Sequence, residues 1–542
     1  MRKLIMKISC LLMCFLLAAC SGSNSNEESP SATPSDSVEV TEETVQETVN
    51  YPIIELTELS DILASESDLG KANVQYSKFA SNLFKTSFKE DENGLISPYS
   101  LYAVLSILAN GANNSDKADT KLLLENVLGM TTNDLNKFYS YTCSDLDIVN
   151  GLLFNTDFGI KMDDSLRSTI KKYYGDSIKE QSFSDVNQLV TDINKWSMIE
   201  SNGSIPTIID NTDVKNNTIM FLLNALSIEG LWNNTFDPNE TVLQNFNNSD
   251  NTKVNVSMMK QTLDGYWQTD NAVGFVNDLK SGYTFVGILP DEGIKIGEYI
   301  KTLDENTIQD MINSYTRFTD VDEEKNEADY HYTNLSFPKL KYSVTNELDD
   351  VLKQLGLNSL YKDDTCDFSS FGDDKIYLQN VKQKTNVEAN ESRVEMSAIT
   401  TGVGAFGATG FPAIRQEIYH DVIFDKPFIY ALLKQNYDSN HNLNYIIMFM
   451  GVVNVLDNET EVNKIEKNGK SAVLYPIGIA VDSIKIRSTP TVKENNQIGL
   501  AVYGRVYFVY EIKENDGYTW YRISENAWIA DDGTWTYRAD QC

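Results

Sequence analysis

The chain has 542 residues, of which 41% are hydrophobic and 11% aromatic, so it is long and apolar enough to bury a large core. Acidic residues number 78 and basic residues 45, which gives a formal net charge of −33. A surface of this charge repels phosphate backbones, so the composition argues against nucleic acid as a partner. The hydrophobic content excludes a wholly disordered chain.

The first twenty residues have the pattern of an export signal. Arg2, Lys3 and Lys7 precede an apolar stretch over residues 8–17, which is too short to span a membrane and has the proportions of a secretory signal. The stretch ends in LAAC, which resembles the lipobox of bacterial lipoproteins. This resemblance implies cleavage before Cys20, diacylation of that cysteine, and an exported protein that is lipid-anchored to the cell membrane and faces outside. The alternative is an ordinary secretory signal with an incidental cysteine.

Two segments of biased composition divide the chain. Residues 21–50 are rich in Ser, Thr, Glu and Pro with almost no large apolar side chain, and such a segment cannot fold by burial. A second composition break occurs around residues 458–470. The predicted division is a signal peptide (1–20), a disordered spacer (21–68), a main domain (69–457), a linker (458–475) and a tail domain (476–540).

Short β-strands are indicated in the tail domain by alternating hydrophobicity. Ile484 and Ile486 alternate with charged residues, and Val506, Phe508 and Tyr510 alternate again before a turn at residues 515–517. Four segments, IRSTP, QIG, WYRI and AWI, resemble in content and order those of bacterial Src-homology-3-like (SH3-like) domains. This resemblance implies a small all-β barrel.

The same resemblance implies a binding role, because bacterial SH3-like domains often bind cell-wall peptides. Thr489 stands where a glycine is common in that family, and this departure bears on wall binding rather than on the fold. Trp520, Trp528 and Trp535 offer ring surfaces for a ligand groove, although core packing is the more frequent role of such aromatic residues.

The main domain opens with helical spacing at Val74, Phe79, Leu83 and Phe84, and a turn follows at residues 91–94. Strands and helices then mix along the domain without a repeat, which indicates the α+β class. Periodicity alone does not assign the fold of a domain of this size, so the assignment depends on motifs.

Ordered motifs across the main domain are typical of one family. Residues 93–100 (NGLISPYS) and 108–112 (LANGA) come first, where Ser97 can cap a helix and Pro98 suits its first turn. The later matches are Asn224, Ala225, Gly230, Trp232, Phe236 and Thr241, then FPKL (337–340), LGL (355–357), DKPF (425–428) and MFMG (448–451). Together they resemble the serpins, a family of serine protease inhibitors. The resemblance implies a large central β-sheet, surrounding helices and an exposed reactive-centre loop.

In serpins the loop is the functional element, and the resemblance places it between Glu391 and Phe428. A target serine protease cleaves the loop and forms an acyl-enzyme with it. The freed loop then inserts as a new strand of the central sheet and deforms the captured protease, so the serpin supplies folding energy and no catalytic residue. The resemblance assigns the hinge, where insertion begins, to Glu391, Ser392, Arg393, Val394, Glu395, Met396, Ser397, Ala398, Ile399 and Thr400.

The hinge departs from the inhibitory pattern, which has a glycine, a small hydroxyl residue and a run of alanines. In an inserted strand Val394, Met396, Ala398 and Thr400 would share one face, and both hinge charges beyond residue 392 would share the other. If the first set faces the core, neither charge is buried, although Met396 in place of alanine overpacks by roughly 1–3 kcal/mol. Gln383 also replaces a histidine that is usual in a buried hydrogen-bond network. We expect inhibition, and the alternative is a non-inhibitory cell-surface binding protein of serpin fold.

Two ways of counting place the scissile bond differently. Counting forward from Glu391 puts it at Gly407, because the inserted strand must span the sheet at roughly 3.3 Å per residue. Counting back from Pro427 points near Arg415. We favour the forward count, since extra residues after the bond merely lengthen a flexible tether. The predicted reactive bond lies among Phe406, Gly407 and Ala408, which carry no charge and suit elastase-, subtilisin- or chymotrypsin-like proteases.

Other chemistries find little support in the sequence. Gly402, Gly404 and Gly407 spell G-x-G-x-x-G, but a Phe-Pro pair follows where a dinucleotide-binding helix would begin. His420 has no nucleophile motif such as G-x-S-x-G to serve. The chain has 3 histidines and no paired Cys or His spacing for zinc. We therefore expect no enzyme, no catalytic residue, no metal and no cofactor.

Replacing the lipobox cysteine tests the predicted anchor. Cys20→Ala removes the thiol that would carry the lipid, so the variant should leave the membrane fraction or accumulate uncleaved. Cell fractionation and the mass of the N-terminal peptide check this, with Cys14→Ala as a control inside the leader. A Cys20→Ala protein that fractionates and matures like its parent would show that no anchor is attached there.

Overall fold

The computed structural model describes residues 16–18, 51–116, 118–143, 148–158, 162–175, 178–200, 207–215, 218–226, 228–322, 325, 327–372, 376–379, 381–396, 413–460, 475–481, 483–502, 506–524 and 527–538. The α-helices are α1 (Leu69–Ser87), α2 (Pro98–Gly111), α3 (Thr120–Leu128), α4 (Thr132–Thr142), α5 (Asp164–Tyr174), α6 (Val186–Glu200), α7 (Ile296–Thr302), α8 (Thr307–Ser314) and α9 (Asp349–Leu352). Short 3₁₀ or π turns occupy Glu66–Asp68, Lys353–Leu357 and Asn358–Tyr361. Among the described residues, no helix is long and apolar enough to cross a membrane.

The strands up to the hinge are β1 (Leu16–Ala18), β2 (Gly94–Ile96), β3 (Ile148–Asn155), β4 (Ile178–Gln181), β5 (Thr218–Leu226), β6 (Ile228–Leu231), β7 (Val242–Asn247), β8 (Lys253–Asp264), β9 (Trp267–Gln268), β10 (Ala272–Asp278), β11 (Tyr283–Pro290), β12 (Phe318–Asp322), β13 (Glu327–Pro338), β14 (Leu340–Glu347), β15 (Tyr377–Gln379), β16 (Lys382–Ala389) and β17 (Arg393–Met396). The later strands are β18 (Ala413–Ile423), β19 (Phe428–Tyr437), β20 (Leu443–Val453), β21 (Tyr475–Ile479), β22 (Ser483–Arg487), β23 (Gln497–Val502), β24 (Val506–Val509), β25 (Glu511–Asn515), β26 (Tyr518–Ser524), β27 (Ala527–Asp531) and β28 (Thr536–Arg538).

The central sheet has two sections, and the same two chain segments, β15–β16 and β5–β6, run through both of them. The hinge section has the strand order β14-β16-β17-β6, and the far section has the order β15-β1-β5-β3-β4. Because β6 follows β5 directly in the chain, and β16 follows β15, the sections line up end to end. The position between these two segments is occupied by β17 in the hinge section and by β1 in the far section.

The main domain also contains two further sheets, and its helix α2 is buried. One sheet has the order β2-β20-β19-β11-β10-β9, and the other has the order β12-β13-β8-β7 with β18 paired to β13. Every residue of α2 except Asn110 is buried, which makes this helix part of the main core. It begins as the sequence predicts, because Pro98 is its first residue and the Ser97 side chain accepts a hydrogen bond from the Ser100 N–H.

The opening helix α1 is present where its spacing predicts it, but one of the four predicted positions faces solvent. Phe79, Leu83 and Phe84 are buried, whereas Val74 is 41% exposed. The buried stripe continues through Tyr76 instead. Period-based prediction identified the helix and misplaced one edge of its apolar face, because neighbouring positions on a helix differ by only 100°.

The disordered spacer predicted for residues 21–68 is wrong over its last part, since residues 51–68 pack on the main domain. Leu63 is completely buried. The backbone N–H groups of Ile62 and Leu63 donate to the Asp134 carboxylate at 2.6 and 3.3 Å, and Lys137 Nζ donates to the Leu63 carbonyl at 2.8 Å. Apolar side chains, which are almost absent from the sequence of residues 21–50, provide the burial in this stretch, so the predicted boundary at residue 68 lies too late in the chain.

The tail contains strands in two sheets, of order β24-β21-β28 and β23-β22-β27-β26-β25. Ile484 and Ile486 are buried as their alternation predicts, and Tyr507 and Val509 of β24 are buried as well. The turn at residues 515–517 is present, with Gly517 at a φ of 83° between β25 and β26.

The tail tryptophans divide between the two roles considered for them. Trp520 is completely buried and Trp528 is 5% exposed, so both pack in the interior of the tail. Trp535 is partly buried and its ring lies 5.3 Å from the ring of Tyr518. Core packing therefore accounts for two of these residues, and Trp535 keeps some exposed surface.

Removing the side chain of Leu63 tests the packing of residues 51–68. Leu63→Ala should lower the free energy of unfolding by roughly 2–5 kcal/mol, because a fully buried leucine is truncated. Urea denaturation measures the loss, and limited proteolysis should show faster cleavage within residues 51–68. Ile53→Ala is the matched control, since Ile53 is 96% exposed and its truncation should be nearly neutral. Equal stability of the two variants would contradict the packing.

Candidate functional site

The base of the hinge is a buried ion pair. The Glu391 side chain is 1% exposed, and its Oε1 lies 2.6 Å from Lys339 Nζ. The Thr241 hydroxyl donates to the same oxygen at 2.9 Å. Lys339 joins β13 to β14, so the pair connects the hinge to an edge of the central sheet. A buried carboxylate is tolerated only when paired and hydrogen-bonded, which explains this set of side chains.

The backbone beside Glu391 is bonded to the chain that leaves β6. The indole N–H of Trp232 donates to the Asn390 carbonyl at 2.8 Å, and its backbone N–H donates to the Ser392 carbonyl at 3.2 Å. The Phe236 N–H donates to the Glu391 carbonyl at 3.0 Å. Trp232 is itself completely buried, so residues 390–392 have one fixed path. The tryptophan and phenylalanine motif positions in the sequence are explained by this packing.

Beyond Ser392 the hinge continues as strand β17 inside the central sheet. It pairs antiparallel with β6, with Arg393 opposite Leu231 and Met396 opposite Ile228. On its other side Val394 lies opposite Ala389 of β16. The Val394 side chain is completely buried in the main core. The remaining predicted hinge residues, Ser397 to Thr400, and the predicted reactive residues Phe406, Gly407 and Ala408 lie outside the described residues.

Gln383, which replaces a usual histidine, joins the central sheet to the buried helix α2. Its amide oxygen accepts the Ser97 N–H at 2.8 Å, and its amide nitrogen donates to the Ser97 carbonyl at 3.0 Å. The Ser97 hydroxyl donates to the Met448 carbonyl at 2.9 Å. A glutamine amide carries a donor and an acceptor, so it satisfies both backbone groups of one residue. The buried network is therefore complete without a histidine.

The chain returns from the loop as β18, which runs parallel to β13 along residues 413–423. The pairing shifts register beside Asp329, and Arg415 lies in this irregularity without a paired residue opposite. Arg415 Nε donates to Asp329 Oδ1 at 2.7 Å, and Gln416 donates to Asp329 Oδ2 at 2.8 Å. The Arg415 hydrogen bond holds the pKa of Asp329 below its ordinary value.

Two histidines meet between β13 and β18. His331 Nδ1 lies 2.8 Å from His420 Nε2, and His331 Nε2 lies 2.7 Å from the Thr319 hydroxyl. The Tyr266 ring stacks on His420 with 3.7 Å between centroids and 4° between planes. Burial, together with the neighbouring His331, lowers the pKa of His420. Sequence reasoning considered His420 only as a base, and it missed His331 because only strand register brings the two together.

In the described part of the chain, no group of three His, Cys, Asp or Glu side chains is placed to hold a metal ion.

Comparison with known proteins agrees with this arrangement of sheet and hinge. The sequence profile of the family described as Serpin (serine protease inhibitor) matches residues 74–463. The chain belongs to the serpin family. Members of this family are typically protease inhibitors rather than catalysts, which is compatible with the expectation that this chain is not an enzyme.

Relatives from distant organisms share the same region. An uncharacterised serpin-like protein of Methanosarcina acetivorans is 24% identical over 384 residues, which are 68% of this chain and 83% of that protein. Serine proteinase inhibitor 1 of Variola virus is 28% identical over 358 residues, covering 64% of this chain and 89% of that protein. The native crystal structure of tengpin, a thermophilic serpin, aligns with a TM-score of 0.57 at 27% identity and covers 74% of this chain and 98% of that one.

Substitution of Lys339, with Lys341 as a control, tests how much the buried Lys339–Glu391 pair contributes to stability. Lys339→Met leaves the Glu391 carboxylate buried without its cation and should cost roughly 3–5 kcal/mol in unfolding free energy. Lys341→Met is the control, because Lys341 is 77% exposed and pairs with Glu388 at 2.9 Å on the surface. That exposed pair should contribute about 1 kcal/mol or less. Equal losses in chemical denaturation would contradict the buried role of Lys339.

Proposed function

We propose that this protein is a surface-tethered serine protease inhibitor that traps its target by inserting the cleaved loop into the central sheet. The observation that carries the proposal is β17, in which the first part of the hinge already lies as a central strand. Its Val394 is buried in the core, so the predicted inward face of the hinge has an apolar residue at its start. Insertion would extend an existing strand rather than begin a new one.

Strand pairing in the central sheet supports the proposed extension. In the part of the chain that the structure describes, residues 382–387 of β16 pair with β14 on one side and with no strand on the other. The strand position between segments β15–β16 and β5–β6 is paired again at its far end, where β1 pairs antiparallel with both β15 and β5. A strand of this chain therefore fits between those two segments. Because β1 belongs to the predicted leader, cleavage before Cys20 would vacate its part of the position for the loop.

Alternation along an extended strand determines which loop residues would enter the core. Met396, Ala398 and Thr400 follow Val394 on the same face, while Arg393 and Glu395 fall on the opposite face. Insertion in this register buries no hinge charge, which removes the largest energetic obstacle to it. Fifteen residues from Arg393 to Gly407, at roughly 3.3 Å each, would carry an attached protease on the order of 50 Å.

The position of Arg415 supports a scissile bond before β18. Arg415 already lies within β18, and its guanidinium is held by the buried Asp329. A protease binds its substrate as an extended strand with free edges. One edge of β18 is already paired with β13, so we do not expect cleavage within it. A bond at Gly407 leaves the uncharged neighbours Phe406 and Ala408 for recognition. We therefore propose elastase-, subtilisin- or chymotrypsin-like targets.

The N-terminal lipobox and the C-terminal tail are the basis for the proposed location at the cell surface. A diacylated Cys20 followed by the acidic and polar residues 21–50 would hold the inhibitory domain away from the membrane on a solvated tether. We propose that the tail is an SH3-like domain that binds cell-wall peptides. Trp520 and Trp528 are buried, whereas Tyr518 and Trp535 are partly buried and Tyr537 is 38% exposed, so these last three rings offer surface for such binding.

Incubation with a panel of serine proteases tests the trapping mechanism. The protein should form a covalent complex with an elastase-, subtilisin- or chymotrypsin-like protease that survives denaturing electrophoresis. Val394→Arg should convert the inhibitor into a cleaved substrate, because position 394 is already buried in β17 and an unpaired charge there would cost several kcal/mol and displace the strand from which insertion extends. Glu395→Arg is the matched control on the opposite face and should still trap.

Mass spectrometry of the C-terminal fragment released from the complex identifies the cleaved bond. A fragment that begins at Gly407 or Ala408 supports the forward count from the hinge. One that begins at Gln416, with a trypsin-like protease trapped, would overturn both the bond and the target class. If no protease of any class forms a stable complex, trapping is wrong and the non-inhibitory binding protein of serpin fold takes its place.

A further inference from the structure

Strand β18 is attached to the molecule along one edge. It pairs with β13, which is its strand partner among the described residues, and its outer side chains are exposed. Ile414 is 50% exposed and Tyr419 is 52% exposed. Backbone pairing with β13 and side chains on the inner face hold β18 against the sheet. Near its middle the inner-face contacts centre on His420.

The contact between His420 and His331 depends on protonation. When one of the two facing nitrogens carries a proton and the other does not, the first donates a hydrogen bond across the 2.8 Å gap. When both imidazoles are protonated, both facing nitrogens carry a hydrogen and neither can accept. Two positive charges then also face each other at that distance, which is unfavourable in a half-buried site.

The surrounding groups compensate a second charge only in part. On the same face of β13, Asp329 is two residues before His331 and interacts with it electrostatically, but its carboxylate is already bound to Arg415 and Gln416. From β12 the pair meets the neutral Thr319, and from the segment before β9 it meets the Tyr266 ring. Arg317 presents its backbone carbonyl to the His331 N–H. By strand register the carboxylates of Asp264, Glu417 and Asp421 belong to the opposite face.

We propose that the His331–His420 pair is an acid-sensitive latch that holds β18 on β13 at neutral pH and releases it when both imidazoles are protonated. The lowered pKa of His420 agrees in direction with this arrangement. On a detached β18 the pKa of His420 returns to the ordinary histidine value of about 6.5. As the pH falls, the detached state therefore binds a proton before the paired state does. The pairing is therefore stable above about pH 6.5 and weakens as the pH falls below it.

Release of β18 has a consequence for the loop that rests on the proposed function. The loop is joined to β17 at one end and to β18 at the other, so an uncut loop is held at both ends. Detachment of β18 frees the second end, and the uncut loop can then move further into the central sheet. Acid exposure should accordingly reduce the fraction of molecules that trap a protease at neutral pH afterwards.

Hydrogen–deuterium exchange of the full chain tests the latch without reference to inhibition. Exchange is measured at pH 7.5 and 5.0 on peptides covering residues 413–423, corrected for intrinsic rates, with β19 as an internal reference. Protection of residues 413–423 should fall severalfold at pH 5.0, because His420 binds a proton more readily on the detached strand, while β19 stays unchanged. Asp329 does not titrate in this range because its pKa is held low.

Three variants assign the change to the pair. His420→Gln and His331→Gln keep polar groups that do not titrate and should abolish the pH-dependent loss, whereas His441→Asn removes the third histidine and should leave it intact. If residues 413–423 of one glutamine variant are already unprotected at pH 7.5, the pair does hold β18. The other glutamine variant then tests whether the loss of protection depends on pH. No loss in the parent, or an undiminished loss in both glutamine variants, would overturn the latch. Failure to trap any protease at pH 7.5 would count against the proposed function alone.

Discussion

Backbone hydrogen bonding across one strand position of the central sheet is the constraint on which the rest of the structure depends. The segments β15–β16 and β5–β6 flank that position, and β17 and β1 pair with them at its two ends. Peptide groups that face an unfilled position must bond to water or to another strand, and a strand added there also buries side chains on the core face. Among the described residues this position is paired only at its two ends, and under the proposed function the cleaved loop would release folding free energy by pairing with the rest of it.

The contacts around this position stabilise the sheet before any cleavage. The Lys339–Glu391 pair and the Trp232 hydrogen bonds fix where β17 begins, at the hinge end. Gln383 ties β16 to Ser97 at the start of the most buried helix. Both groups of contacts are buried, and they belong to the base of the hinge and to β16 rather than to the path along which the proposed insertion would lengthen β17.

The loop is controlled at its far end as well, by side chains of another kind. Arg415 with Asp329 and His420 with His331 join β18 to β13 along an otherwise exposed edge strand. The first is an ion pair that persists through the neutral and mildly acidic range, because the pKa of Asp329 is low. The second loses its hydrogen bond when both rings are protonated. Under the proposed latch, acid would therefore weaken the attachment of β18 while leaving this ion pair in place.

Local patterns determined much of this protein by themselves. Composition located the polar stretch at residues 21–50, helical spacing located α1, and the Ser97-Pro98 pair located the start of α2, because each depends on interactions between residues close in sequence. Ordered motifs identified the serpin fold, which the family comparison confirms. Tertiary structure alone decided that residues 51–68 pack, that Tyr507 and Val509 of β24 are buried, and that His331 meets His420. Those outcomes depend on which distant segments lie side by side, since a one-residue change of register reverses the face of every side chain in a strand.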